Sequence, residues 1–297
     1  MRWIRMDKSL DNLIEEQQAV LFGNYENLVG VAKIVKSASS SDRIANKTAM
    51  IMLTSGMLHN VGPYRLHVDL ANQLAKQGIS SLRFDLSGIG DSLGVGTSGK
   101  SIERAAFETS QAMNYLTDKY GFESYILFGL CSGADDGIQT ALFDKRVKGV
   151  INLDGLGYKT LEFKIRDYLL LLRKMLYPSK WIRKAQALFN AQLAPASLAM
   201  GDDIREFPDD AGQASHDLQE LTDRNTQLHF IYTGGTLYYN YAKQFYDMLP
   251  KVNWKGNEST SYFPQMDHVV TLCEDRQLLI DHITDKTEQM IKVIKNV

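Results

Sequence analysis

Cys131 stands at the centre of Gly129-Leu130-Cys131-Ser132-Gly133, a segment that follows the strand-like run 124–128 and opens the helix-like run 134–143. A nucleophile held on a sharp strand-to-helix turn needs small residues two places before and two after it, where strand and helix nearly touch. The register therefore selects Cys131. With Ser132 at the centre the flanking residues would be Leu130 and Ala134, and Leu130 is too bulky for that position. A thiol has a free pKa of about 8.5, so a modest downward shift already yields substantial thiolate near neutrality, and a neutral imidazole close by would accept its proton. The same five residues are also compatible with a glycine-rich turn around a buried, inert cysteine. His268, between the last strand-like and the last helix-like runs, is the candidate base; His59, His67, His216, His229 and His282 read as structural or solvent-facing.

The elements that must position these groups alternate along the chain. Residues 18–22 and 28–35 read as a hairpin, 37–46 as a polar loop, and 48–53 as a short apolar strand. Residues 64–77 space Leu66, Leu70 and Leu74 on one helical face before Gly78 stops the helix. A strand over 80–86, a long helix over 101–120 and a strand over 147–153 follow, the last ending at Asp154. From 155 to 225 the alternation gives way to a basic, leucine-rich helical stretch that contains Tyr168 and Leu172. Strand grammar resumes at 227–232, then comes a Tyr-rich helix over 237–249, a strand over 258–263 and a last helix over 274–293. Repeated β-then-α units imply an α/β fold with a mostly parallel central sheet flanked by helices. The expected division is a core of 1–154 and 226–297 with a helical cap, or lid, inserted at 155–225.

Composition narrows the function classes. A chain of 297 residues, 44% of them hydrophobic, can bury one full α/β core. The net charge of −2 argues against a general nucleic-acid binder, which carries a basic excess. The two cysteines, Cys131 and Cys273, cannot build a disulfide framework or a multi-cysteine metal site. The arginine-containing N-terminus has no apolar core of a signal peptide, and no apolar run approaches bilayer length, so a soluble cytoplasmic protein is expected.

The order of these elements, the turn at Gly129–Gly133, the segment Phe84-Asp85-Leu86-Ser87-Gly88-Ile89-Gly90-Asp91-Ser92 and the late Asp267-His268 together resemble the α/β-hydrolase superfamily. Within it, Leu82–Ser92, the Gly-Leu-Cys start of the turn, the basic Tyr/Leu-rich cap and the late Asp-His are similar to hydrolases associated with exosortase systems. The resemblance implies Cys131 as nucleophile and His268 as base, with the backbone N–H of Ser132 and a second N–H from the loop after Leu53, by position that of Met57, holding the oxyanion. It also implies an acid after the strand 227–232. Here that turn reads Thr233-Gly234-Gly235-Thr236, with no carboxylate. Asp154 is the replacement, since some members take their acid from that strand, and a Cys-His dyad is the alternative.

The expected function is hydrolysis or transfer of an acyl group from an ester or thioester through a Cys131 acyl-enzyme, with no metal or organic cofactor. The cap, with Tyr168 and Leu172, would line the acyl site, and its Lys and Arg residues could face a phosphate or an acidic carrier protein. Two rivals come from other classes. Gly94–Ser101 satisfies the P-loop pattern G-x-x-x-x-G-K-[ST], which would make a nucleotide hydrolase, although residues 86–93 separate it from the preceding strand. A non-catalytic binding protein on a hydrolase scaffold would explain the missing acid.

Overall fold

The computed structural model describes residues 13–37, 40–56, 58–94, 100–175 and 211–296. Their strands are β1 (Leu13–Phe22), β2 (Leu28–Ser37), β3 (Ser40–Ile44), β4 (Thr48–Leu53), β5 (Ser81–Phe84), β6 (Ser124–Leu130), β7 (Val147–Leu153), β8 (Gln227–Thr233) and β9 (Glu258–Phe263). The helices are α1 (Leu66–Lys76), α2 (Ser101–Tyr120), α3 (Ser132–Phe143), α4 (Leu161–Met175), α5 (Ala211–Asp223), α6 (Gln244–Met248) and α7 (Cys273–Lys295). All nine strands join one sheet in the order β1-β2-β5-β4-β6-β7-β8-β9, with β3 on the far part of β2. From β5 to β9 every neighbouring pair is parallel, while the β1–β2 hairpin closes one edge antiparallel.

The central strands are apolar on both faces because helices cover both. On one side Ile51, Leu53, Tyr125, Leu127, Val150 and Phe230 pack under α2, α3, α5 and α6. On the other, Met50, Met52, Ile126, Phe128, Ile151 and Ile231 pack under α1 and α7. Alternate residues of one strand thus belong to different cores, which is the pleat expressed as packing. After β4 the chain steps to β5 on one side, and β6 then lies on the other side of β4. The crevice beyond the carboxyl ends of β4 and β6 is therefore the switch point at which sheets of this kind hold ligands.

Several boundaries differ from the sequence reading. Residues 40–44 form a strand where a loop was expected, because β2 runs past β5 and its free backbone groups take a partner at Lys36 and Ser37. Helix α1 starts at Leu66, after a 3₁₀ turn at Pro63–Arg65 in which Tyr64 and Arg65 adopt left-handed φ values of 46° and 68°. Of the helix expected over 237–249 only Gln244–Met248 is helical. The residues before it spend their bonding elsewhere: the Tyr239 ring stacks on Tyr232 at 3.8 Å, and the buried Gln244 side chain donates to the carbonyls of Tyr158 and Tyr238 at 3.0 and 2.5 Å.

Where β6 passes into α3 the two elements touch backbone to backbone. A Cβ on Gly129 would fall on the carbonyl of Gly133, and one on Gly133 would fall on the carbonyls of Leu53 and Thr54. Backbone cannot swing aside as a side chain can, so Gly129→Ala should destabilise the protein by about 3 kcal/mol or more, measured by urea unfolding. A loss below about 1 kcal/mol would mean that α3 can lift off the sheet.

Candidate active site

Cys131 joins the end of β6 to the start of α3 with φ 55° and ψ −121°, a backbone geometry unfavourable to a residue with a Cβ. It is held there by a bond from its own N–H to the Leu153 carbonyl at 2.8 Å and by the bare backbones of Gly129 and Gly133. Asn152 braces the same turn: its Nδ2 donates to the Ala134 carbonyl at 3.2 Å, and its Oδ1 accepts the Gly155 N–H at 3.0 Å. The thiol is half-buried and hydrogen-bonded to the His268 ring.

Asp154 follows β7 with φ 49° and no exposed surface. A buried carboxylate must have its lone pairs filled. Thr233, at the end of β8, fills two of them, its N–H reaching Oδ1 at 2.7 Å and its hydroxyl reaching Oδ2 at 2.6 Å. His268 Nδ1 supplies a further bond, donating to Oδ2 at 2.9 Å. The Tyr238 hydroxyl donates to the Asp154 carbonyl at 2.6 Å, which pins the residue from the main-chain side. The imidazole thus bridges Asp154 and Cys131. Its pKa is raised to about 9, first by the bond to Asp154 and then by the bond to Cys131.

The loop that carries His268 packs on the turn where an acid was expected. A Cβ on Gly235 would strike the His268 N–H, and one on Gly234 would strike Pro264, so Gly234-Gly235 admits the loop. Asp267 is the loop's organiser: its carboxylate accepts from the N–H groups of Val269 and Thr271, each at 3.0 Å, and from the Thr271 hydroxyl at 3.1 Å. These bonds turn it away from a pairing role and hold Val270 at φ 52°.

Ser132 is the first residue of α3, whose leading N–H groups have no preceding turn to bond. Its hydroxyl accepts the Gly56 N–H at 2.7 Å, tying the loop after β4 to the nucleophile turn. Met57, the other expected oxyanion donor, lies outside the described residues. Beside Ser132 a cavity of about 290 Å³ extends between Thr54, Gly56, Leu86, Ile89 and Ile102. Tyr168 and Leu172 are exposed on α4, and neither lines that cavity. Thr233 and Tyr238 were not singled out by the sequence reading, since a threonine and a tyrosine beyond a strand carry no signature of carboxylate support.

The remaining candidates fall elsewhere. His229 on β8 and His282 on α7 face each other with Nε2 atoms 2.9 Å apart, and burial pushes His229 down to about 3. Cys273 is exposed at the start of α7. A phosphate-binding loop must leave its strand directly, but β5 ends at Phe84, and residues 85–93 make a separate turn before Gly94; residues 95–99 of that motif lie outside the described residues. No helix among the described residues is long and apolar enough to cross a membrane.

No protein-family model matches the sequence, and no curated protein matches it. Solved structures do match over nearly the whole chain. An esterase of Pyrococcus furiosus aligns with a TM-score of 0.60 at 15% identity, covering 97% of this chain and 94% of its own. The α/β hydrolase GrgF of Penicillium sp. sh18 aligns with a TM-score of 0.55 at 16% identity, covering 93% and 99%. Est1E of Butyrivibrio proteoclasticus, solved with ferulic acid bound, aligns with a TM-score of 0.57 at 12% identity, covering 92% and 100%. The chain has the α/β-hydrolase fold. Within that fold the Cys131 turn follows β6, the His268 loop follows β9, and the carboxylate that meets the histidine leaves β7 rather than β8.

A histidine whose folded pKa lies above its ordinary 6.5 stabilises the folded protein fully below that pH and progressively less as the pH climbs through about 9. Removing the carboxylate should remove most of this slope. The urea midpoint of the wild type should therefore fall more steeply between pH 6.5 and 9 than that of Asp154→Asn; equal slopes would show that the Asp154 bond is not its source.

Proposed function

We propose that the protein is a cysteine-dependent acyl hydrolase or acyltransferase that acts on an ester or thioester through an acyl-enzyme on Cys131. The observation that carries the reading is the continuous hydrogen-bonded chain Asp154–His268–Cys131 at the carboxyl ends of β6, β7 and β9. Its likeness in fold to an esterase and to an α/β hydrolase supports an ester-cleaving chemistry.

In this mechanism Asp154 fixes the histidine tautomer by accepting from Nδ1, which leaves Nε2 toward the thiol. Proton transfer from Cys131 to His268 gives a thiolate beside an imidazolium, and a histidine pKa near 9 favours that pair at neutral pH. The thiolate attacks the acyl carbon, forming the S–C bond, and the carbonyl oxygen takes up negative charge against the Ser132 N–H. Collapse expels the alkoxide or thiolate leaving group, which takes its proton from His268. Water or an acceptor hydroxyl, thiol or amine then gives its proton to His268, attacks the thioester and releases Cys131. None of these steps calls for a metal or organic cofactor.

The cavity beside Ser132, walled by Leu86, Ile89 and Ile102, suits a small acyl or leaving group. A longer chain would extend toward α4, where Tyr168 and Leu172 offer apolar surface and the Lys and Arg residues of the cap suit a phosphate or an acidic carrier. As part of the same proposal, the resemblance of residues 82–92 and of the Gly-Leu-Cys turn to exosortase-associated hydrolases is consistent with a role near surface-polysaccharide pathways.

Incubation with a panel of acyl thioesters followed by intact-mass measurement should show a single acyl adduct, mapped to Cys131 and absent from Cys131→Ala. Ser132→Ala should slow turnover, because the Gly56 N–H loses its acceptor, yet still form the adduct. Retained turnover in a folded Cys131→Ala protein would overturn the reading. Truncating the cap side chains, as Tyr168→Ala or Leu172→Ala, should lower kcat/KM for long-chain substrates several-fold more than for acetyl esters; equal losses would leave α4 out of substrate binding.

A further inference from the structure

The loop 54–62, between β4 and α1, is fastened at two points. One is the Gly56 N–H bond to Ser132 Oγ at 2.7 Å. The other is Asn60, whose backbone N–H donates to Asp85 Oδ1 at 2.5 Å and whose Nδ2 donates to Asp85 Oδ2 at 2.6 Å. Asn60 Oδ1 in turn accepts from Arg83 Nη1. All three side chains are buried, Asp85 at 0%, Asn60 at 6% and Arg83 at 9% exposure.

Burying a carboxylate and a guanidinium forfeits their hydration, and a well-packed apolar set often serves the fold as well. This cluster does something that apolar side chains cannot, because it grips the backbone and amide of one loop residue from a strand end. It is electrically balanced within itself: the Asp85 charge offsets Arg83, and His67 nearby stays neutral at physiological pH because burial pushes it down to about 4. On its other side Asp85 organises the loop after β5. The Ser92 hydroxyl donates to the Asp85 carbonyl at 2.7 Å, and Gly90 comes so close that a Cβ there would meet the Asp85 carboxylate. That second loop supplies Leu86 and Ile89 to the cavity wall. One residue therefore ties the loop expected to donate to the oxyanion, through its carboxylate, to the loop that borders the substrate cavity, through its backbone carbonyl.

We propose that Asp85 is a positioning residue for acyl transfer, acting through Asn60, with Arg83 as the anchor behind it, to hold the loop 54–62 against the nucleophile turn. The proposal rests on the reading of Cys131 as nucleophile. Donors to a developing oxyanion work only when held to within about 0.5 Å, and losing one costs on the order of 10²–10³ in kcat. Loosening the loop should cost part of that.

Turnover of p-nitrophenyl acetate and butyrate is to be compared with the rate of Cys131 alkylation by iodoacetamide, which needs the thiolate and His268 but no oxyanion donor. Asp85→Asn sets two amide groups against each other, and Asn60→Asp sets two carboxylates against each other. Each should lower kcat about 10- to 100-fold with KM changed by less than about threefold and alkylation unchanged. The exchange variant Asp85→Asn/Asn60→Asp recreates the three bonds that join Asn60 to Asp85 and Arg83: the amide at position 85 donates to the carboxylate at position 60 and still accepts its N–H, while Arg83 pairs with that carboxylate; only the 3.5 Å bond from the Asp91 N–H to Asp85 Oδ2 loses its acceptor. Its kcat should return to within about threefold of wild type. Parallel loss of kcat and alkylation would overturn the proposal, as would a folded Asp85→Asn protein with wild-type kcat. If the single variants do not fold, the exchange variant decides: recovery supports the proposal, and a folded protein still more than about tenfold slow overturns it. Failure of the Cys131 reading would appear separately, as turnover that survives Cys131→Ala.

Discussion

A carboxylate with no exposed surface has to find every hydrogen bond inside the protein, and Asp154 finds them on two other segments. Thr233 at the end of β8 satisfies it from one side, and His268 beyond β9 from the other. The ends of β7, β8 and β9 are thereby locked into one arrangement, because any shift of a strand end would strand a buried charge. The carboxylate that meets His268 follows β7, and the turn after β8 carries none. It has become a platform instead: a threonine to hold the carboxylate and two glycines flat enough for the histidine loop to rest on.

Three strained backbone positions lie around this point. Cys131, Asp154 and Val270 all hold left-handed φ values that residues with a Cβ avoid, and they sit at or beside the three members of the hydrogen-bonded chain. Each is over-determined by its surroundings. Cys131 is held by the Leu153 carbonyl and the glycine contacts, Asp154 by its bond to the Ile231 carbonyl and by Tyr238, and Val270 by its bond to the Asp267 carbonyl. The two-sided apolar core beneath supplies the rigidity that makes such positions tenable. It also explains how solved structures at 12–16% identity share the fold: burial periodicity and short turns survive sequence change far better than individual side chains do.

The side of the crevice where Ser132 lies is built by the same logic in a different chemistry. Gly56 and Asn60 fix the loop after β4 through bonds to Ser132 and Asp85, so the nucleophile turn and the neighbouring strand end both take part in shaping it. The two halves of the site are thus independent in their supports. The histidine half hangs on Asp154, the loop half on Asp85, and Cys131 lies between them at the switch point of the sheet.

Whatever depends on neighbours along the chain could be read from the order of residues. The nucleophile turn was legible because its steric demand falls on residues two apart, and the alternation of strands and helices was legible from apolar runs ended by glycine. His268 stood out by its place in the chain order, and the acid was narrowed to Asp154 or none. Which side chains meet depends on how the folded sheet orders its strands. The Asp154–His268 bond spans 114 residues and exists because β7 lies beside β8 and β8 beside β9. Thr233, Tyr238 and the attachment of Arg83 and Asn60 to Asp85 left no trace in spacing or composition, since their partners come from separate segments. The strand at 40–44 and the irregular backbone at 237–243 escaped for a related reason: an unsatisfied strand edge recruited the first, and tyrosine and glutamine bonds to distant carbonyls overrode helical propensity in the second. Local sterics and periodicity are written in neighbouring residues, whereas the geometry of a polar pair is set by which strand ends the folded sheet brings together.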